Sequence, residues 1–268
     1  MTPTTVPPSP RRMGRVNWRG AWELYLKEVR RFVKVYLQTI ASPIVTTLLF
    51  LAIFALALGR QVPDSGGVSF IEFLAPGLII MAMVQNAFAN TSSSMVISKV
   101  QGNIVDVLMP PLSAAELTAA YALGGTTRGV VVGIATTAAM AFFVQLHLHD
   151  ALYIVYHGVM ASLMLSLLGL IGGIWADKFD HIAAVTNFIV TPLSFLSGTF
   201  YSIERLPEHL QFLAHLNPFF YMIDGFRYGF IGHPDAMPLT GLAVVAATNV
   251  VLLAVTYVMF RTGYKLKA

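Results

Sequence analysis

A Gly-x-x-x-x-Gly-Lys-Ser/Thr loop would place backbone N–H groups and a lysine around the phosphates of ATP. The chain has no such loop and not even a Gly-Lys dipeptide. Any work drawn from ATP therefore has to come from another polypeptide. His-Glu-x-x-His and Gly-x-Ser-x-Gly are also absent, and the cysteine count of 0 removes disulfides, thiolate metal sites and cysteine nucleophiles together. His147, His149 and Asp150 are metal-ligand types, but three polar residues in a short stretch between apolar runs read more simply as a turn. No pair of carboxylates lies inside an apolar run, so neither a proton relay nor an intramembrane protease is indicated.

The remaining polar patterns are amides and hydroxyls. Asn86, Asn90, Ser93 and Ser94 fall on one helical face, and Asn187, Thr191, Ser194 and Gly198 repeat the theme with Pro192 expected to kink the helix. Amides are costly against lipid, so both stripes should face protein or water. Two readings stand: interhelical hydrogen bonding, worth about 0.6 kcal/mol on average, or the lining of a path, with Asn86, Asn90, Asn187, Thr191 and Ser194 as candidates. Charges near these runs are Glu116, Arg128, Asp224 and Arg227. Arg128 has Glu116 or a snorkelled phosphate as partner, and Asp224 with Arg227, at i and i+3, reads as a local ion pair. Gly125, Gly129 and Gly133, and again Gly169 with Gly173, have the four-residue spacing that lets helices approach closely.

The elements carrying these residues follow from composition. Of 268 residues, 56% are hydrophobic and 11% charged, where a soluble domain carries about 25% charged residues. So few charges cannot cover a water-exposed surface, and disordered chains have the opposite balance. An all-α integral membrane protein remains. A lipid-crossing helix needs about 20 mostly apolar residues. Six runs qualify: about 35–58, 73–97, 112–146, 151–176, 182–201 and 239–260. Of the 17 Lys and Arg, Arg11, Arg12, Arg15, Arg19, Lys27, Arg30, Arg31 and Lys34 precede residue 35, and Arg261, Lys265 and Lys267 lie at the end. Bases at the termini fit an anionic cytoplasmic leaflet rather than a nucleic-acid face, and put both ends in the cytoplasm. That requires an even number of spans. Ala55-Leu56-Ala57 resembles a cleavage site, but the basic lead and apolar run are too long for a signal peptide, so an uncleaved first span is expected.

Outside the spans, residues 1–15 open with a Pro/Thr/Ser-rich stretch and are expected to be disordered. In residues 16–34, Trp18, Trp22, Tyr25, Leu26, Val29, Phe32 and Val33 recur at three- and four-residue steps, with Arg19, Lys27, Arg30, Arg31 and Lys34 on or beside the other face. Such a helix lies in the headgroup plane. After the second run, Gly102 and Pro110-Pro111 bound a short cytoplasmic helix over 102–111, with Asn103 as N-cap and Asp106 in its first turn. Ile104, Val107, Leu108 and Met109 supply apolar bulk for a partner's groove. Residues 198–236 are too polar to span and too apolar for a plain loop. They read as two re-entrant amphipathic helices divided at Asn217-Pro218. Phe200, Tyr201, Phe219, Phe220, Tyr221 and Tyr228 there fit an interfacial aromatic belt or an exit gate.

From about Trp22 onward the chain resembles the bacterial ABC-2 type permease family, the inner-membrane subunits of ABC exporters. The resemblance rests on G-N-I-V-D-V-L-M-P-P-L after the second span, and on S-G-T-F-Y-S and N-P-F-F-Y-M-I-D-G-F-R-Y-G-F before the sixth. It implies a type V exporter-like fold in which 102–111 is the coupling helix, with Gly102, Asn103, Ile104, Asp106, Leu108 and Pro110 docking on the ATPase. Asp106 stands where the family usually has Glu. It also implies a homodimer of this chain among membrane lipids and a dimer of a separate ATPase that binds ATP and magnesium, leaving no cofactor on this chain. Cargoes implied are saccharides, lipid-linked sugars, drugs or peptides, and few intramembrane charges favour an apolar or amphipathic one. The rivals are a secondary transporter, which would need mid-depth acids, and a membrane-embedded enzyme or scaffold without an ATPase.

Overall fold

The computed structural model describes residues 14, 16–58, 68–203 and 207–266. Most of the expected disordered tail, 1–15, lies outside them. The helices are α1 (Trp18–Val33), α2 (Ser42–Leu58), α3 (Phe70–Val100), α4 (Ile104–Leu108), α5 (Ala114–Met140), α6 (Ala151–Trp175), α7 (Phe179–Val185), α8 (Thr191–Leu196), α9 (Glu208–His215), α10 (Pro218–Ile231) and α11 (Pro238–Thr262). Among the described residues the secondary structure is all helical apart from turns and one isolated bridge residue.

Local chemistry fixes where the long helices start. Ser69 with Glu72, and Ser113 with Glu116, form capping boxes in which each side chain satisfies the other residue's free backbone N–H. Asp150 accepts from the N–H groups of Leu152 and Tyr153 and starts α6, which is the task of the polar turn containing His147 and His149. Gly232 and Gly263, both at positive φ, end α10 and α11.

Two helices carry π turns, at Leu37–Ala41 ahead of α2 and at Thr186–Val190 between α7 and α8. Each contains the carbonyl four residues before a proline: Thr39 before Pro43, Phe188 before Pro192. A proline ring collides with that carbonyl and offers it no N–H, so the wider turn relieves the clash. The irregularity expected at Pro192 therefore sits one turn earlier.

Among the described residues, five helical stretches are long and apolar enough to cross a membrane: Leu37–Ala57, Phe70–Val100, Ala151–Trp175, Phe179–Leu196 and Pro238–Thr262. The stretch expected at 112–146 is helical only over Ala114–Met140 and is not among the five. Its Gly124-Gly125-Thr126-Thr127-Arg128 segment dilutes the apolar character. At about 1.5 Å per residue it is nevertheless about 40 Å long, and it packs against α3, α6 and α1.

The core is α3, α5 and α6 in close contact. A Cβ on Gly169 would lie 2.4 Å from both the Phe88 carbonyl oxygen and Thr91 Oγ1, and one on Gly125 would meet Ser166 Oγ at 2.3 Å. Such separations exclude any side chain. Gly169→Val is expected to lower the thermal midpoint of the detergent-solubilised chain, since overpacking costs about 1–3 kcal/mol. Gly172→Ala, whose Cβ would meet only Ile182 Cδ1 at 3.6 Å, should melt like the parent.

Two apolar clusters result. The larger joins α3 and α6 to α10 through Leu74, Ile79, Met164, Leu165, Phe220 and Phe226. The smaller gathers Leu24, Met95, Ile104, Val107, Leu117 and Phe260 at the end where α1 and α4 lie. At that end, Lys99 Nζ donates to the carbonyls of Ile174 and Ala176, and Lys265 Nζ to that of Trp175. Both lysines thereby cap the negative end of α6. They share Asp177, whose carboxyl the hydrogen bond from Lys265 holds below the ordinary carboxylate range.

By contrast, α2 and the α7–α8 rod are held loosely. In their most apolar stretches only 11% of each is buried, against 61% in α3 and 56% in α6.

Candidate functional site

The chain leaves α3 through Gln101 and Gly102, whose φ of +75° favours glycine. α4 follows, and Pro110-Pro111 ends it. Asn103 occupies the cap position without capping; its Nδ2 donates instead to Gln101 Oε1 at 3.3 Å. Asp106 is exposed in the first turn. The four apolar residues divide by face. Ile104 and Val107 are buried with Leu24, Met95 and Leu117, while Val105, Leu108 and Met109 are exposed. Residues three apart share a helical face, so a five-residue helix seated on one side can offer only the other. Ile104 therefore anchors the helix from below, and Val105 joins Leu108 and Met109 on the outer surface.

The seat is tied to α1. The Asn17 backbone N–H donates to Glu116 Oε1, and Asn17 Nδ2 to the Pro111 carbonyl at 3.3 Å. A cavity of about 570 Å³ lies between α1, the end of α3 and α4, lined in part by Lys27, Arg31, Ser98, Asp106 and Val107.

The amide stripe of α3 is engaged by two other helices. On α1, Leu24, Glu28 and Phe32 share a buried face at four-residue steps. Glu28, 0% exposed, accepts from Ser94 Oγ at 2.7 Å and from Arg31 Nη2 at 3.3 Å. Arg31 also donates to Asn90 Oδ1 and Ser93 Oγ, both at 3.1 Å. It thus turns inward, contrary to the expectation that it faces headgroups. Trp18 and Trp22, 78% and 57% exposed, keep the apolar outer face. One turn up α3, Asn86 Oδ1 accepts from Arg128 Nη2 at 2.8 Å. The expected Glu116–Arg128 pair does not form. Twelve positions along one helix separate them by about 18 Å, and Glu116 is occupied at the start of α5.

On the α7–α8 rod, Asn187 is exposed, Thr191 half-buried, and Ser194 buried with its hydroxyl on the Val190 carbonyl. Among the described residues no hydrogen bond joins this stripe to that of α3.

At the far end, α9 and α10 lie on either side of Asn217, which caps α10 and donates through Nδ2 to the Leu193 carbonyl and Ser197 Oγ. The aromatic residues expected to gate an exit fall into three groups. Phe219, Phe220 and Tyr221 are buried in the larger cluster. Phe200 stacks between Phe54 of α2 and Phe195 of α8, with Tyr201 beside it bonded to the Phe195 carbonyl. Tyr228 sets its ring edge-on to Tyr153 and His149.

Asp224 and Arg227 take separate partners. Asp224 accepts from the N–H groups of Asp235 and Ala236. Arg227, 2% exposed, donates to the carbonyls of Gly198 and Thr199 and lies 3.8 Å over the Phe73 ring. It fastens the turn carrying Phe200 and Tyr201 to α10. Arg227→Ala leaves two buried acceptors short of a donor, at about 1–3 kcal/mol each. Hydrogen exchange should accelerate at residues 197–203 in that variant while the α3 and α6 amides stay protected.

Sequence reasoning missed Glu28 as the centre of the α1–α3 junction. The signal was an acid on the same face as Leu24 and Phe32.

Residues 20–231 match the family described as ABC-2 type transporter. The chain is 37% identical over 256 residues to the inner membrane transport permease YadH of Escherichia coli (strain K12), covering 96% of this chain and 100% of that protein. It is 24% identical over 251 residues to nodulation protein J of Rhizobium leguminosarum bv. viciae, covering 92% and 95%. To nodulation protein J of Rhizobium meliloti (strain 1021) it is 26% identical over 229 residues, covering 81% and 82%. A match over most of the length, to a chain of helices built for lipid, identifies this protein as a member of the ABC-2 type transporter membrane family, a multi-pass inner-membrane transport permease.

Proposed function

We propose that this chain is the membrane-spanning subunit of an ATP-driven exporter whose motor is a separate ABC ATPase. α2, α3, α5, α6, the α7–α8 rod and α11 cross the membrane, α1 lies at the cytoplasmic interface, and both termini are cytoplasmic. α9 and α10 re-enter from the outer side. Two copies of the chain form the pathway, with α2 and α7–α8 free for lipid or for the second copy. ATP and magnesium are held by the ATPase dimer.

The observation that carries this reading is α4. A five-residue helix is seated through Ile104 and Val107 on α1, α3 and α5, and leaves Val105, Asp106, Leu108 and Met109 exposed. An exposed apolar surface with one acid suits the transfer of force, because Pro111 just beyond it accepts from Asn17 at the start of α1, and Asn17 in turn donates to Glu116 of α5. Gly102 and Pro110 delimit it. ATP favours one arrangement by binding it more tightly, and α4 passes that preference to the bundle. Asn86, Asn90, Asn187, Thr191 and Ser194 belong to the pathway, and Phe200, Tyr201 and Tyr228 to the outer gate. The buried Phe219, Phe220 and Tyr221 back that gate from α10.

An affinity-tagged chain extracted from native membranes into lipid nanodiscs tests the proposal. An ABC ATPase should co-purify and hydrolyse ATP in the complex. Repeated purification without one would defeat it.

A further inference from the structure

The chain does not run straight out of α11. Gly263, at φ +68°, ends the helix, and the Tyr264 N–H donates back to the Met259 carbonyl at 3.1 Å. A second turn follows, in which the Leu266 N–H donates to the Gly263 carbonyl at 3.2 Å. Lys265 lies within it at φ +53°, the one residue other than glycine with a positive φ among the described residues. A left-handed conformation is costly for a residue with a side chain, and it persists only where surrounding contacts hold it.

Lys265 and Leu266 supply those contacts, and both lead to α4. Leu266 is 4% exposed and belongs to the buried cluster that seats α4, together with Ile104, Val107, Met95 and Ile174. Lys265 Nζ donates to the Trp175 carbonyl at 3.0 Å and to Asp177 Oδ2 at 2.9 Å. The other Asp177 oxygen accepts from Lys99 Nζ at 3.4 Å. The Lys99 carbonyl in turn accepts from the Gly102 N–H at 3.1 Å, where the chain bends towards α4. The turn after α11 is thus connected to the seat of α4 through the cluster and to its root through Asp177. The links differ in kind. The Lys265 and Asp177 side chains are 34% and 53% exposed, so their pairing is weak by itself, whereas Leu266 is withdrawn from water.

We propose that Gly263–Leu266 is a strap that positions α4, with Lys265 and Leu266 as its positioning residues. With the strap closed, the root and the seat of α4 are held in one arrangement. With it open, Leu266 leaves the cluster, Asp177 keeps one lysine of two, and α4 is free to tilt about Gly102. The strain at Lys265 opposes closure, so the strap is held by less than its contacts alone would give. It acts within a single chain, whatever α4 touches.

Hydrogen exchange of the purified chain in lipid nanodiscs, with no ATPase present, reads the strap independently of any motor. The amides of Gln101, Gly102, Asp106 and Met109 are hydrogen-bonded and report the root and body of α4. Lys265→Met keeps the stem and removes the ammonium, and exchange over 101–109 should rise about fivefold or more. Lys265→Arg keeps the charge and the donors and should exchange like the parent. Leu266→Ser should accelerate the same amides by about tenfold or more. In every variant the amides in the middle of α3 and α6 should keep the parent's protection. Asp177→Asn combined with Lys265→Met should add little to Lys265→Met alone, because both break one link. Should Leu266→Ser fail to fold, the Lys265 variants decide, since that side chain is one-third exposed. Parent-like exchange over 101–109 in Lys265→Met overturns the proposal. So does an Lys265→Arg chain as fast as Lys265→Met, or an acceleration spread evenly over α3 and α6.

Discussion

Aspartate placed at both Val105 and Met109 is expected to cut the ATP hydrolysis supported by this chain by about tenfold or more while the amount of folded chain in the membrane stays constant. Both side chains are exposed, Val105 at 54% and Met109 at 77%, so neither contributes to the seat of α4. If they enter a groove on the ATPase, each contributes about 1.5–3 kcal/mol on burial, and a carboxylate there would have to be desolvated unpaired. Ile104→Asp is the contrasting variant. Ile104 is packed with Leu24, Met95 and Leu117, so its replacement should reduce the yield of folded chain. Hydrolysis measured on reconstituted complexes, beside the melting temperature of each chain, separates the two. Full coupling in the Val105/Met109 variant would remove α4 from the force path.

Glu28→Ala should be the most destabilising change on α1. It leaves the Ser94 hydroxyl and part of Arg31 without an acceptor in a site closed to solvent, and breaking a buried pair from one side costs about 3–5 kcal/mol. Trp18 and Trp22 lie on the same helix, so their fluorescence reports its detachment. Replacing both charges, Glu28→Leu with Arg31→Met, should recover much of the loss, since an apolar pair of similar size is often tolerated. Recovery stays incomplete, because Arg31 also serves Asn90 and Ser93. A single Glu28→Ala chain that melts with the parent would show that the acid does not hold α1.

The all-helical membrane character was legible because it depends on runs of apolar residues, which need no partner to be recognised. The glycine-to-backbone approaches of α5 and α6 were legible for a similar reason, since small residues at four-residue spacing lie on one face. Partner identity was not. Arg128 and Glu116 share a helix in sequence, but helical rise keeps them apart, while Asn86 and Arg128 meet only once α3 and α5 are packed. Asp224 and Arg227 had the spacing of an ion pair, yet the carbonyls of Gly198 and Thr199 claim the arginine. Ile104 and Leu108 looked equivalent until the seat beneath α4 gave one of them an inside.

The two lysines on the end of α6 have a mechanical consequence. Lys99 rides on α3 and Lys265 follows α11, so three helix ends are riveted to one carboxylate, Asp177. If α4 takes up force as proposed, displacement arriving through Gly102 would be shared by all three, and they would behave as a stator. The π-turn helices, α2 and α7–α8, have no such rivet among the described residues and bury little of themselves. Motion is cheapest along those two rods, each jointed near its proline.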